Sequence, residues 1–541
     1  MTVTTSSVTA AADPRVPWTV FLAAAVLGLA TAVVRYLGVN GFSNDHYLYL
    51  AGAQQILFGE WPTRDFVDIG APLMSVTSAA AQLVFGRTLV AEATLVSIAY
   101  ALASAAVVFA AWRVSRSLLV AVAASVLSIA AFPRSYAYPK LLLFAVAPLF
   151  IWAWVRRPTV ARLAAIAVCV SVAFLFRHDF GAFLGLASFA TIALAPGVGL
   201  PETAKRLGIF VGFVLVCLLP YFAYVQTHVG LIGYFQDAIA FSQREADRTQ
   251  LPLAAIQPGH EARLFYLFRA LPIAALIWLI ADWRQGWSTH DLMAVPLVAA
   301  AMFVTATFLR DPLAARLPDV VVPVVLVGAW LAGRSMVVSS RLARTALIVV
   351  LAAMAVSTGV SLAAVERAPE QLHRTNLWLG AGELPRLLRE KTSELQERFA
   401  RAQLPDGRLL PLVPFFEYLD RCTTARHHLL VAGNAPEIYV YARRPFAAGQ
   451  LWFVEGYFHS EHEQRRQLER ATKQVIAFAL VLSDQYGDWK SWFPRLDAFV
   501  QSSFRPLTEI PIDDERTVRV LVHGGLPPNG VDRSTGWPCF R

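Results

Sequence analysis

Runs of apolar residues broken by short charged or proline-bearing stretches fill the first two thirds of the chain. Trp18 to Ala32, Val90 to Trp112 and Arg344 to Val365 come close to the roughly 20 residues needed to cross a bilayer. The same reading gives about eleven spans, near 17–37, 89–112, 117–132, 140–155, 162–177, 180–196, 206–225, 266–281, 291–308, 319–333 and 345–365. From about Ala368 onward charge becomes as dense as in a soluble protein. The pattern predicts a polytopic α-helical membrane domain over 1–366 and a water-soluble α/β domain over 367–541.

The loop at 38–88 is only partly polar. Tyr47, Leu50, Ala51, Leu57 and Phe58 recur at helical spacing, and Pro72 to Phe85 is apolar but short, which predicts two amphipathic helices lying at the membrane surface. The loop at 226–265 fits one more. In the C-terminal part, Glu383–Ala402 and Leu410–Leu419 read as helices, and His428–Gly433 and Gln474–Leu482 as buried strands. Helical patterns at Ala435–Tyr441, Ser460–Ala471 and Trp492–Ser502 surround them, so a mainly parallel sheet is expected, with Val518–Val522 as an edge strand.

Composition supports the membrane reading: of 541 residues 56% are hydrophobic and only 16% charged, where a soluble domain carries about a quarter. The net charge of +9 would suggest nucleic acid in a soluble protein, but here Lys and Arg sit in short loops between spans and set orientation instead. A cytoplasmic N-terminus places Arg113–Arg116, Arg156–Arg162, Lys205–Arg206, Asp282–Asp291 and Arg334–Arg344 inside. An odd span count then puts the loops 38–88 and 226–265 and the C-terminal domain outside, in a multi-pass protein of the plasma (inner) membrane. Met1 to Pro17 lacks the basic start and cleavage site of a secretory signal. No CxxC spacing suggests zinc; on an oxidising side Cys422 and Cys539 have the option of pairing, closing a loop of about 117 residues.

Asp45-His46-Tyr47-Leu48-Tyr49, followed by Gly59, Pro62-Thr63-Arg64-Asp65-Phe66 and an apolar Pro72-led helix ending in Phe85-Gly86, resembles the first outer loop of GT-C glycosyltransferases. The pattern is similar to protein mannosyltransferases and to the bacterial enzymes that add aminoarabinose or galacturonic acid to lipid A. Those families usually carry Asp-Glu where this chain has Asp45-His46. The resemblance implies inverting transfer of a hexosyl or pentosyl group from a polyprenyl-phosphate donor to a glycan, glycolipid or protein acceptor on the outer face, in cell-envelope assembly.

Such a reaction needs a base opposite the leaving group, and a carboxylate there takes the acceptor proton as an oxocarbenium-like transition state forms. Asp45 is the candidate; capping of the following helix is the competing role for the same residue. A departing polyprenyl phosphate needs positioned cations. Arg177, Lys140, Arg134 and Arg310 stand at span ends on the expected outer side, and three of them also have a structural reading: Arg177 paired with Asp179, Arg310 with Asp311, Lys140 snorkelling to the interface. His46, Tyr49, Asp65, His178 and Asp179 are the candidates for contact with substrate. No metal ligands are assigned, and no cofactor is expected beyond an optional divalent ion. The alternatives are a flippase or exporter of lipid-linked saccharides, which predicts charge deep in several spans, and a non-catalytic envelope-assembly protein.

Overall fold

The computed structural model describes residues 15–68, 70–196, 199–283, 286–307, 313–397 and 409–541. Up to residue 365 the described chain forms α1 Trp18–Leu37, α2 Asn44–Leu57, α3 Pro72–Phe85, α4 Leu89–Ser115, α5 Leu118–Ala130, α6 Tyr138–Arg156, α7 Val160–Phe176 and α8 His178–Ala193. It continues through α9 Leu200–His228, α10 Leu231–Thr249, α11 His260–Trp283, α12 Thr289–Ala306, α13 Val321–Ser335 and α14 Arg341–Val365. Every expected span thus coincides with a helix. Among the described residues, eight helical stretches are long and apolar enough to cross a membrane. The remaining three positions hold α5, α7 and α8, of 13, 17 and 16 residues; at 1.5 Å per residue these cover roughly 20–26 Å, short of a full hydrocarbon thickness.

The centre of the bundle is α4, which packs against α1, α3, α5, α6 and α13. Its buried alanines, among them Ala99, Ala103, Ala106, Ala110 and Ala111, let neighbouring backbones come close. At the periphery, Leu215, Val216 and Leu219 of α9, Ile277 and Ile280 of α11, and Val349, Val350 and Val356 of α14 point outward and are exposed. An exterior this apolar is stable against lipid, not water.

Described loops meet at two ends of the bundle. At one end Arg35 donates to the Pro133 carbonyl, Lys140 pairs with Asp319, and the His178 amide donates to the Gly70 carbonyl. At the other, Arg334 pairs with Asp282 and lies 3.5 Å from Asp291, while His290 Nε2 lies 2.7 Å from the Val114 carbonyl.

The C-terminal part comprises α15 Ala368–Arg374, α16 Leu384–Gln396, α17 Val413–Cys422, β1 His428–Ala432, α18 Pro436–Ala442, α19 Glu461–Lys473 and β2 Ile476–Leu482. It ends with α20 Tyr486–Trp492, α21 Pro494–Ser503, β3 Phe504–Pro511, β4 Thr517–His523 and the short ladder β5 Gly530–Val531 with β6 Pro538–Cys539. The sheet order is β1-β2-β4-β3. Only β1 and β2 are parallel; β2–β4 and β3–β4 are antiparallel, which corrects the expected mainly parallel sheet. Val518–Val522 lies inside the sheet, and the edge on its side is β3, a polar strand that the apolar pattern misses. Its Pro506 and Pro511 are tolerated because an edge strand leaves one row of amides unpaired. A disulfide joins Cys422 to Cys539.

The first loop forms its two helices, but α2 is covered by the C-terminal domain instead of lying open on a surface. Tyr47 and Tyr441 share a hydroxyl hydrogen bond of 2.6 Å, Gln54 donates to the Val440 carbonyl, and Gln55 both donates to Phe446 O and accepts from Phe446 N. The amphipathic pattern of α2 therefore marks an interface between the two parts of the chain.

Candidate active site

Asp45 sits in the first turn of α2. Ser43 is the N-cap and no side chain caps the helix, so capping does not occupy the Asp45 carboxylate. It is exposed and makes no hydrogen bond or ion pair among the described residues. Its charge acts on Tyr49 one turn along, and on Tyr136 and Arg134 from the connection between α5 and α6. Arg134 donates to the Tyr136 hydroxyl at 3.2 Å, while the Tyr100 hydroxyl of α4 holds the Arg134 carbonyl at 2.7 Å.

Lys140 and Arg177 stand at the same end of the bundle. Lys140 opens α6 behind Pro139, is 9% exposed, and lies 3.2 Å from Asp319, which belongs to the turn before α13. Arg177 closes α7, with its Nε 3.0 Å from Asp179 Oδ1. Both cations approach the ring of Phe180, at 5.3 and 5.1 Å from its centroid. The pair with Asp179 expected as the structural reading of Arg177 is therefore formed, and it leaves both terminal guanidinium nitrogens of Arg177 without a hydrogen bond among the described residues. The charge of Arg177 also acts on Tyr49. Asp45, Tyr49, Arg134, Lys140, Arg177 and Asp179, far apart in sequence, thus form one neighbourhood. Arg310 lies outside the described residues.

Three candidates lie elsewhere. His46, adjacent to Asp45, is fully buried on the opposite side of α2, its Nε2 2.6 Å from Glu92 of α4. The Ser78 hydroxyl of α3 lies 2.9 and 2.8 Å from the two Glu92 oxygens. Asp65 accepts from the Trp61 amide and from Arg64 Nε, closing the turn of residues 61–65. His178 stacks on Phe174 and lies 3.4 Å from the Tyr234 hydroxyl.

That hydroxyl belongs to a network sequence reading missed. Asp68 Oδ1 accepts from the amides of Gly70 and Ala71, and its Oδ2 accepts from the hydroxyls of Tyr221 in α9 and Tyr234 in α10, both at 3.2 Å. Burial pushes the Asp68 carboxyl above the usual carboxylate range, against the pull of these four donors. Gly70 is needed there: its φ of +85° is in the left-handed region, and an added Cβ would meet the His178 ring at 2.7 Å. The network anchors α9 and α10 to the first loop. The turn signal Asp68-Ile69-Gly70 before Pro72 was its trace in the sequence.

Among the described residues the only group of three potential metal ligands is Cys422, Asp532 and Cys539, and the disulfide removes both thiolates from it. Asp532 is held by Arg421 at 3.2 Å and by the hydroxyls of Ser534 and Thr535.

A bundle of apolar helices whose charged side chains gather at one end, with an amphipathic first loop carrying an unpaired carboxylate and a mixed sheet over it, defines a polytopic helical-bundle fold with a C-terminal sheet region. The particular likeness is to the crystal structure of ArnT from Cupriavidus metallidurans bound to undecaprenyl phosphate, at a TM-score of 0.50 and 16% identity, covering 92% of this chain and 97% of that one. The apo-state structure of the same ArnT matches at a TM-score of 0.46 and 16% identity, over 93% and 98%. No family model and no curated protein matches the chain.

Proposed function

We propose that the protein is an inverting glycosyltransferase that moves a sugar from a polyprenyl-phosphate donor to an acceptor hydroxyl. The observation that carries this reading is the unpaired carboxylate of Asp45 on the same bundle end as Arg134, Lys140 and Arg177. The ArnT likeness supports it, since that protein's structure holds undecaprenyl phosphate. In the reaction, Asp45 takes the proton of the acceptor hydroxyl, whose oxygen forms a bond to the anomeric carbon from the face opposite the donor phosphate. The bond from anomeric carbon to phosphate oxygen breaks, and the polyprenyl phosphate leaves with the electron pair. Arg177, with its free terminal nitrogens, and Lys140 meet the developing charge in a partly dry site. Tyr49 and Asp179 line the approach.

The site faces the outside of the cytoplasmic membrane in this reading, with the N-terminus inside. The Cys422–Cys539 disulfide supports that side, because such bonds persist in oxidising compartments. The test uses purified full-length protein with a set of undecaprenyl-phosphate-linked hexoses and pentoses and an envelope extract as acceptor. Transfer is expected from the wild type, with a loss of at least about a hundredfold for Asp45→Asn, the scale of general-base catalysis, and unchanged binding of undecaprenyl phosphate. Full transfer by Asp45→Asn would falsify the assignment, and movement of the lipid-linked sugars across liposomes without transfer would favour a flippase.

A further inference from the structure

A cleft open to solvent lies between the first loop, α10 and α19. Arg244 of α10 donates to the Gly456 carbonyl at 3.1 Å and Tyr457 bonds to Glu245, which seats α10 on the C-terminal domain and closes one wall.

Three features of the lining point to a ligand. Thr63 Oγ1 and Gln467 Oε1 are buried and find no hydrogen-bond partner among the described residues, although their residues are only 4% and 3% exposed. A buried polar atom without a partner costs about 1–3 kcal/mol, so such atoms normally have one. Asp237 and Arg466 reach the same cleft from opposite walls, close enough to act on each other's charge, yet neither makes an ion pair or hydrogen bond among the described residues. The rings of Phe241 and Phe458, stacked 5.9 Å apart, supply an apolar surface beside them. A second, smaller pocket shares Phe66, Val67 and Asp68 with the cleft and carries Tyr49 on its wall. The cleft thus continues toward the turn of α2 that holds Asp45.

We infer that this cleft is the acceptor subsite and that its occupant is a carbohydrate, held through hydroxyl groups by Thr63, Gln467, Asp237 and Arg466 and through its C–H faces by Phe241. This inference rests on the transferase reading above. Other ligand chemistries fit less well. The lining sets the three acids Asp68, Asp237 and Glu463 against the two bases Arg466 and Arg470, so it lacks the net positive charge that a phosphate headgroup requires. An acyl chain would bury Asp237 and Arg466 without partners. A sugar hydroxyl both donates and accepts, and so serves unpaired acceptors and an unpaired guanidinium together.

The test is binding by calorimetry to the full chain in nanodiscs, with mannotriose, maltotriose and an arabinotriose as probes, a threonine-rich octapeptide as the protein-acceptor alternative, and undecaprenyl phosphate as the control. At least one trisaccharide is expected to bind, weakened about tenfold or more by Arg466→Ala and by Asp237→Asn, while undecaprenyl phosphate binds these variants as it binds wild type. Asp45→Asn is expected to keep trisaccharide binding, which separates this inference from the transferase reading: loss of that reading alone would show as transfer surviving in Asp45→Asn. Three results would overturn the subsite: no trisaccharide bound at millimolar concentration, trisaccharide binding indifferent to both substitutions, or binding of the peptide in their place.

Discussion

Asp45 and His46 are neighbours in sequence and face opposite environments. Successive residues on a helix point about 100° apart, so when the first turn of α2 presents Asp45 to the open end of the bundle it turns His46 into the interior. There the imidazole meets Glu92, and the two are 0% and 1% exposed. Truncating His46 takes one of its two partners from the buried Glu92 and leaves it Ser78 alone. His46→Ala is expected to destabilise the protein by about 1–3 kcal/mol, read as a lower midpoint of unfolding in detergent, with undecaprenyl phosphate binding intact once folded. An unchanged midpoint would show that the pair does not hold α2 in place. The place of Asp45 just beyond an apolar run was legible in the sequence. The burial of His46 was not, because Glu92, Ser78 and the stacked Phe42 are assembled from separate elements.

Helix positions follow from hydrophobic runs, but how closely helices meet depends on single residues. At Gly333 of α13 an added Cβ would lie 2.3 Å from the Val114 carbonyl of α4. Gly333→Ala must therefore part the two helices, at an expected cost of about 1–3 kcal/mol. Gly212 of α9 has nothing within 4 Å of the equivalent position. Gly212→Ala serves as the matched control, with an expected change between zero and about 1 kcal/mol of stabilisation, since alanine favours helix. Equal thermal shifts in the two variants would refute the close crossing of α4 and α13. Neither glycine stands out in the sequence; contact with a second helix separates them.

Across the whole molecule, α2 is the joint, packed on α3 below and on the C-terminal domain above. Its apolar stripe satisfied the signature of a surface helix, because periodicity reports that a face is buried and not what buries it. The C-terminal domain is itself closed by the Cys422–Cys539 bond, 117 residues apart in sequence. The Phe540 amide donates to the Cys422 carbonyl at 2.8 Å beside it. Replacing both cysteines by alanine is expected to remove up to about 4–5 kcal/mol on the chain-entropy account, seen as an earlier unfolding transition of the full chain. Reductant should produce the same shift in the wild type and none in the variant. A variant as stable as wild type would show that the bond does not hold the domain closed.

The sequence by itself determined the positions of the membrane helices, the helices flanking the Asp45 loop and the strand cores of the C-terminal domain. Each of these depends on local hydrophobicity or local charge, which a linear pattern records. Tertiary structure alone decided that Arg177 pairs with Asp179 while keeping donors free, that His46 faces Glu92, that Asp68 binds Tyr221 and Tyr234, and that β4 lies inside a mixed sheet. It also made the cleft of Asp237 and Arg466, whose walls are some two hundred residues apart along the chain. Such juxtapositions are set by how helices and sheet pack against one another, and nothing in the spacing of residues along one strand of sequence encodes the distance between them.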